Sequence, residues 1–271
     1  MVESFRFVKR SDLLKMPRIS SFLSEVDIAD SAGESQVIFA AEIKAPLPAT
    51  DIEQVVDAFV SAANFGMFSK EPTAPTKPIV VDSSDSRAPG RIQYVWKVTG
   101  IQVGAYRVLL NMLEAAHHFS ELLERIRLIS LGRGSRVNRT DLLNAPFSIK
   151  AGKPPFALRS GRNLADCREP LIRLEFQRDV SDDDLATLVP AFLAWDNVVI
   201  RGGYVEELEN RDPKLDIEKA LASQQTYLAA PNTVEHLFYK FVGQEAAFDA
   251  LINMVIRLHS VFCPLASFEI E

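Results

Sequence analysis

Two acid–base pairs recur in the chain. Glu42 and Lys97 sit in stretches that alternate apolar and polar residues, and Glu175 and Lys240 sit in similar stretches further on. A carboxylate and an ammonium facing each other across neighbouring strands form an ion pair of about 0.2–1 kcal/mol when exposed. Enclosed in a cleft, the same groups have shifted pKa values, and the carboxylate becomes a candidate proton acceptor. Arg173, Gln177 and His236 lie near the second pair in sequence. Together Glu42, Lys97, Arg173, Glu175, Gln177, His236 and Lys240 outline a candidate polar cleft, with no catalytic role assigned to any one of them.

A second set of polar residues sits in one helix that the chain contains twice. Tyr106–His117 and Phe248–His259 both carry Asn-Met at the same place (Asn111, Asn253), with a His six residues after the Asn. Wound at about 3.6 residues per turn, Tyr106, Leu109, Leu110, Leu113 and His117 form one apolar stripe, and Phe248, Leu251, Ile252, Val255 and His259 form its counterpart. The bland role for His117 and His259 is a hydrogen bond to a last-turn carbonyl, and the chemical role is general base or metal ligand. A metal would require further ligands at suitable spacing, and only His118 is adjacent, so no metal is expected. Asn111 and Asn253 fall about 140° from the stripe centre and suggest a shared backbone contact.

The elements around these residues repeat in order. Arg10–Pro17 matches Arg139–Pro146 as a capped helical turn ended by proline. Val37–Lys44 and Leu171–Arg178 read as strands, with Phe39, Ala41 and Ile43, then Ile172, Leu174 and Phe176, on one face. Each precedes a helix, one opening with the capping pattern Thr50/Glu53 and one with Ser181 and three aspartates. Phe65–Phe68 and Val198–Ile200 are short apolar runs expected to be strands. Lys70–Gly90 reads as an extended loop, and Asp216–Leu228 as an added helix. Tyr94–Gly100 and Leu237–Gly243 are expected strands that lead into the repeated helix, and Arg125–Ile129 and Ala266–Ile270 close the copies. Leu131–Arg136 is a connector, Arg201–Gly203 a turn, and Trp96 and Trp195 core aromatics.

Each copy thus reads βαββαβ, the order of a ferredoxin-like unit with two helices on one face of an antiparallel sheet. The expected fold class is α+β: a tandem duplication, residues 1–136 and 137–271, forming a pseudo-dimer within one chain, paired sheet to sheet or edge to edge. The length of 271 residues, 47% hydrophobic and 24% charged, suits such a globular protein. A net charge of −6 argues against a general nucleic-acid or membrane-surface binder. Cys167 and Cys263 have no metal-like spacing, and the N-terminus lacks an apolar leader, so the cytoplasm is the expected compartment. Nucleophile elbows, zinc motifs and phosphate loops are absent, and no cofactor is implied. The leading expectation is a non-catalytic binding protein that engages a protein partner or small ligand through its paired sheets or variable loops. The alternative is a cofactor-independent enzyme of dimeric α+β-barrel type, with the polar cleft between its two sheets.

Overall fold

The computed structural model describes residues 22–30, 34–44, 50–73, 80–82, 90–120, 123–130, 134–144, 149–160, 168–205, 216–239, 241 and 245–271. The first half holds β1 (Leu23–Asp30), β2 (Glu34–Ile43), α1 (Thr50–Asn64), β3 (Val80–Asp82), β4 (Arg91–Thr99), α2 (Gly104–Ser120) and β5 (Leu123–Ser130). Then come β6 (Ser135–Asn138), α3 (Arg139–Asn144), β7 (Ala157–Ser160), β8 (Leu171–Phe176), α4 (Asp182–Ile200) and α5 (Ile217–Ala222). The chain ends with β9 (Gln225–Ala230), β10 (Thr233–Leu237), α6 (Glu245–Val261) and β11 (Leu265–Ile270). The protein is α+β, with two mixed sheets.

The sheets are ordered β3-β4-β2-β5-β1-β6 and β7-β11-β8-β10-β9. Read from its other edge, the second is β9-β10-β8-β11-β7, which matches the first strand for strand up to β6. Pair directions match as well: β1–β5 and β7–β11 are parallel, and the other corresponding neighbours are antiparallel. β6 crosses the expected 136/137 boundary and pairs with β1, which extends the first sheet.

The repeated helices lie where the periodicity places them, as do the strands that follow them and the strand that leads into the first. Two expected strands do not form. Phe65–Phe68 is a turn, and Val198–Ile200 is the last turn of α4; the strands paired at those topological positions are β3 and β9. A short apolar run has no periodicity of its own, and here it continues the 3.6-residue pattern of the helix before it. The segment expected as one helix at 216–228 divides into α5 and β9, and the strand expected at 237–243 ends at Leu237. Arg10–Pro17, Cys167, Gly132 and Lys240 lie outside the described residues; the match to the first of these, Arg139–Asn144, is helical.

Each sheet buries one face. Val37, Phe39, Ala41 and Ile43 of β2 point inward with Trp96 and Val98, and Ile172, Leu174 and Phe176 of β8 do the same. These faces lie on α1 and α2 in one half and on α4 and α6 in the other, within one continuous apolar core. The two helix layers then pack on each other, α1 against α4. The molecule is therefore layered sheet–helices–helices–sheet, and the expected sheet-to-sheet pairing is replaced by helix-to-helix packing. The reason is visible in α6, where residues on both sides of the apolar stripe are buried: Phe248, Leu251 and Val255, and also Ala247, Asn253 and Met254. A helix buried all round needs a neighbour on its second face.

That second face carries the repeated asparagines. Asn111 donates through Nδ2 to the carbonyls of Gly203 and Val205, at 3.2 and 3.3 Å, just beyond α4. Asn253 donates to Met67, just beyond α1, at 3.3 Å and to Lys150 at 3.0 Å, and its Oδ1 accepts from Gly152 N–H at 2.8 Å. Each half thus satisfies backbone groups of the other. Glycine allows the close approach. A Cβ on Gly203 would lie 2.6 Å from Val108 Cγ1, and one on Gly66, whose φ is +82°, would lie 2.5 Å from Arg257 Cδ.

Truncating either asparagine strands buried backbone groups, at roughly 1–3 kcal/mol for each group left without a partner. Asn111→Ala and Asn253→Ala are each expected to destabilise the protein by more than about 1 kcal/mol in urea titration, and Asn253→Asp, which sets a carboxylate against carbonyls, by more than Asn253→Ala. Losses below about 1 kcal/mol at both alanine variants would mean that these bonds do not hold the halves together.

Candidate functional site

The residues of the expected polar cleft are distributed over several places. Glu42 lies on the outer face of the first sheet, 3.7 Å from Arg91 and 4.0 Å from Arg125. Lys97 shares that face, but its register partner is Gln36, whereas Arg91 stands opposite Glu42. The expected Glu42–Lys97 pair therefore does not form. Alternation fixes which face a side chain takes, while register along the strand is set separately.

On the outer face of the second sheet, Arg173 gathers three carboxylates: Glu235 at 2.8 Å, Glu271 at 3.1 Å and Glu269 at 3.3 Å. Glu175 accepts from Ser267 Oγ at 2.9 Å, and Gln177 donates to the Leu265 carbonyl at 3.2 Å. Because the helix layers lie between the sheets, these two outer faces point away from each other and enclose no common cleft.

His117 and His259 act alike. Nδ1 of each accepts a backbone N–H from the strand that follows, Leu123 at 3.0 Å and Leu265 at 2.9 Å. This replaces the expected bond to a last-turn carbonyl, and it pins the helix end to β5 or β11. Among the described residues, no three His, Cys, Asp or Glu side chains gather as a metal-binding group.

His236 is the exception among the cleft residues. It is on the inner face of β10, buried, with its ring stacked on Phe192 (centroids 4.4 Å apart, 8° between planes) and edge-on to Trp195. Nδ1 is 2.8 Å from Thr226 Oγ1, and Nε2 is 3.0 Å from Asp196 Oδ1. The consistent assignment has the Thr226 hydroxyl donating to Nδ1 and Nε2–H donating to the carboxylate, which occupies both ring nitrogens.

Local sequence explains how the three meet. Thr226 and His236 are direct cross-strand partners in the β9–β10 hairpin. Asp196 comes from α4, whose start is fixed by a capping box between Ser181 and Asp184. Arg178 forks onto Asp184 at 2.6 and 2.9 Å and holds that carboxyl well below the usual carboxylate range, aided by Ser181. Asp196 follows Phe192 by one helical turn, so the ring that stacks on His236 and the carboxylate that binds it share one side of α4.

This network borders a pocket of about 500 Å³ between α4, α5 and β9. Val189, Leu193 and Asp196, spaced as one stripe of α4, form one wall; Leu221, Gln224, Gln225, Thr226 and Tyr227 form the others. Gln224 is held in place: its Nε2 donates to the Ala220 carbonyl, and its Oε1 accepts Tyr239 N–H, both at 2.7 Å. Asp196 is 2% exposed, and burial pushes its carboxyl upward, with the His236 hydrogen bond and charge opposing that shift. Its Oδ2 has no hydrogen bond to any described residue.

The arrangement orders a hydroxyl, an imidazole and a carboxylate along one chain of hydrogen bonds beside the pocket. The sequence identified His236 but not its partners, since Asp196 looks like any polar residue of a helix and Thr226 lies in a strand without an alternation signal. Comparison with family models, with curated proteins and with solved structures gave no match. Among the described residues, no helix is long and apolar enough to cross a membrane.

Burial lowers the pKa of His259 from its ordinary 6.5, since the charged ring is poorly solvated there and could no longer accept at Nδ1. As pH falls, the unfolded chain takes up this proton first. The His259 contribution is therefore complete above 6.5 and is lost as pH falls from there through the folded value. Urea unfolding between pH 8 and pH 5 should show stability declining on the acid side, and His259→Gln should flatten that decline. Equal slopes for the two proteins would dissociate His259 from it.

The second expectation concerns the buried network. His236→Ala, which leaves Asp196 buried without its partner, should destabilise by roughly 3–5 kcal/mol, and the double variant Asp196→Leu/His236→Phe by much less. Chemical denaturation of both variants checks this, and a double variant worse than the single would contradict it.

Proposed function

We propose that this chain is a binding protein whose ligand is a small molecule held in the pocket between α4, α5 and β9. The observation that carries this reading is the Asp196 carboxylate: almost wholly buried, tied at Oδ1 to His236, and bordering a pocket with its other oxygen unbonded among the described residues. That oxygen is not among the buried side-chain atoms left without a partner, so it stays open to a donor from the pocket, and a charge-assisted hydrogen bond there is stronger than a neutral one. A pocket of about 500 Å³ with an apolar wall and a few convergent polar groups is of the size and character that small ligands use. A protein partner on the outer sheet faces has less support, because ion pairs already occupy the charges there.

The same reading takes the molecule as a tandem duplication of a ferredoxin-like unit. Each sheet contains four strands in the order that βαββαβ connectivity requires, with β1 or β7 added in parallel at one side. The paired asparagines and paired histidines support it independently. A cytoplasmic location remains the companion expectation, resting on the acidic composition and the sparse cysteines.

One observation favours a second reading, a cofactor-independent enzyme. Thr226, His236 and Asp196 follow the order of nucleophile, base and orienting carboxylate, with Thr226 at the pocket. The chemistry would then occur beside α4 rather than between the sheets.

A screen of small fragments by backbone amide NMR tests the binding reading. Hits should perturb Val189, Leu193, Leu221 and Thr226 together, and Leu221→Trp, which fills the pocket, should abolish them. Fragments that perturb only the outer sheet faces would redirect the function to those surfaces. Hydrolysis of an activated ester that depends on Thr226, lost in Thr226→Val while fragment binding persists, would establish the second reading.

A further inference from the structure

The hydrogen bonds around His236 determine what the pocket can recognise. With the Thr226 hydroxyl donating to Nδ1 and Nε2–H donating to Asp196 Oδ1, both ring nitrogens are committed. Among the described lining residues, the polar groups left for a ligand are the Asp196 carboxylate, the lone pairs of Thr226 Oγ1 and the Gln225 amide, which can donate as well as accept. The Gln224 side chain is engaged at both ends by Ala220, Ser223 and Tyr239. Among the described residues that line the pocket, Asp196 is the only charged one, and none is a lysine, arginine or histidine. Val189, Leu193 and Leu221 supply apolar contact beside these acceptors.

We propose that the pocket takes a small organic cation, a primary or secondary ammonium carried on an apolar body. Its N–H groups donate to Asp196 Oδ2 and Thr226 Oγ1, and its hydrocarbon part lies against Val189, Leu193 and Leu221. This assignment rests on the reading of the pocket as a ligand site. The ligand brings a positive charge to a carboxylate that has no cationic partner on the pocket side among the described residues, and a charge-assisted hydrogen bond is stronger than a neutral one. A bare metal ion fits poorly, since hard cations require several more oxygen ligands than one carboxylate and one hydroxyl. An anion would meet the Asp196 carboxylate, with only the neutral Gln225 amide to donate to it among the described lining residues.

The test uses the full chain and three probes that share an aromatic body: 2-phenylethylamine, 2-phenylethanol and 3-phenylpropanoate. In calorimetric titration the amine should bind about tenfold or more tightly than the alcohol, the difference expected for one hydrogen bond to a charged group, and the carboxylate should not bind. Asp196→Asn should bring the amine to the affinity of the alcohol, with near-ultraviolet circular dichroism unchanged. If Asp196→Asn does not fold, Thr226→Val decides, and it should reduce amine affinity several-fold while leaving the alcohol as it was. Equal binding of amine and alcohol would overturn the cation assignment and leave the pocket standing. Binding of none of the three would overturn the pocket reading too. A folded Asp196→Asn that keeps the amine preference, or an unchanged preference in Thr226→Val where that variant decides, would overturn the role given to those acceptors.

Discussion

The structure depends on how backbone groups are satisfied where the two helix layers meet. Chain leaving α1 at Met67 and α4 at Gly203 carries peptide carbonyls into a buried junction, where water is not the partner and each unmet group would cost free energy. Asn253 and Asn111 reach across and meet them. An amide is suited to this because it donates without bringing a charge into the core. With the helix layers held face to face, both sheets must turn their polar faces outward. A concave site then forms at the flank of a helix layer, as the open pocket between α4, α5 and β9 does.

The two helices that bear the asparagines were legible to within three residues at each end, because a 3.6-residue apolar stripe has no competing interpretation. The inward faces of β2 and β8 were legible for the same kind of reason, through period-two alternation. β1 was not. Its pairing with β5 shifts register between Leu23 and Glu25, and a bulge breaks the alternation that would mark a strand. β9 was hidden differently. Gln225–Ala230 is an exposed edge strand without an apolar face; Pro231 marks where it ends, but nothing in its composition marks where it begins and separates it from the helix before it.

The site was harder to read than the fold. His236 was grouped with outward residues because the strand was placed at 237–243, which left its facing undetermined; β10 begins at Thr233 and turns His236 inward. Asp196 carries no local mark of burial. A helix that is apolar on one side and carries an aspartate next to Trp195 fits an exposed carboxylate equally well, and only the arrival of β10 makes it a partner. Of the three residues in the network, sequence held one, in the wrong company.

Comparing the halves position by position separates framework from chemistry. Matching Glu42 to Glu175 aligns Phe39 with Ile172, whose partners across the sheet are Tyr94 and His236. The same alignment carries Phe59 onto Phe192 and Ala63 onto Asp196. The first half therefore has a tyrosine and an alanine where the second has an imidazole and a carboxylate. The asparagines of α2 and α6 and the histidines that end them are the same in both halves, and they make the same kinds of bond. Residues that hold the halves together are constrained twice, since each also serves the other half. Among the described residues, the side chains of Thr226, His236 and Asp196 bond only to one another within their own half, and there a buried carboxylate is tolerable because His236 takes one oxygen and the other is not sealed away without a partner.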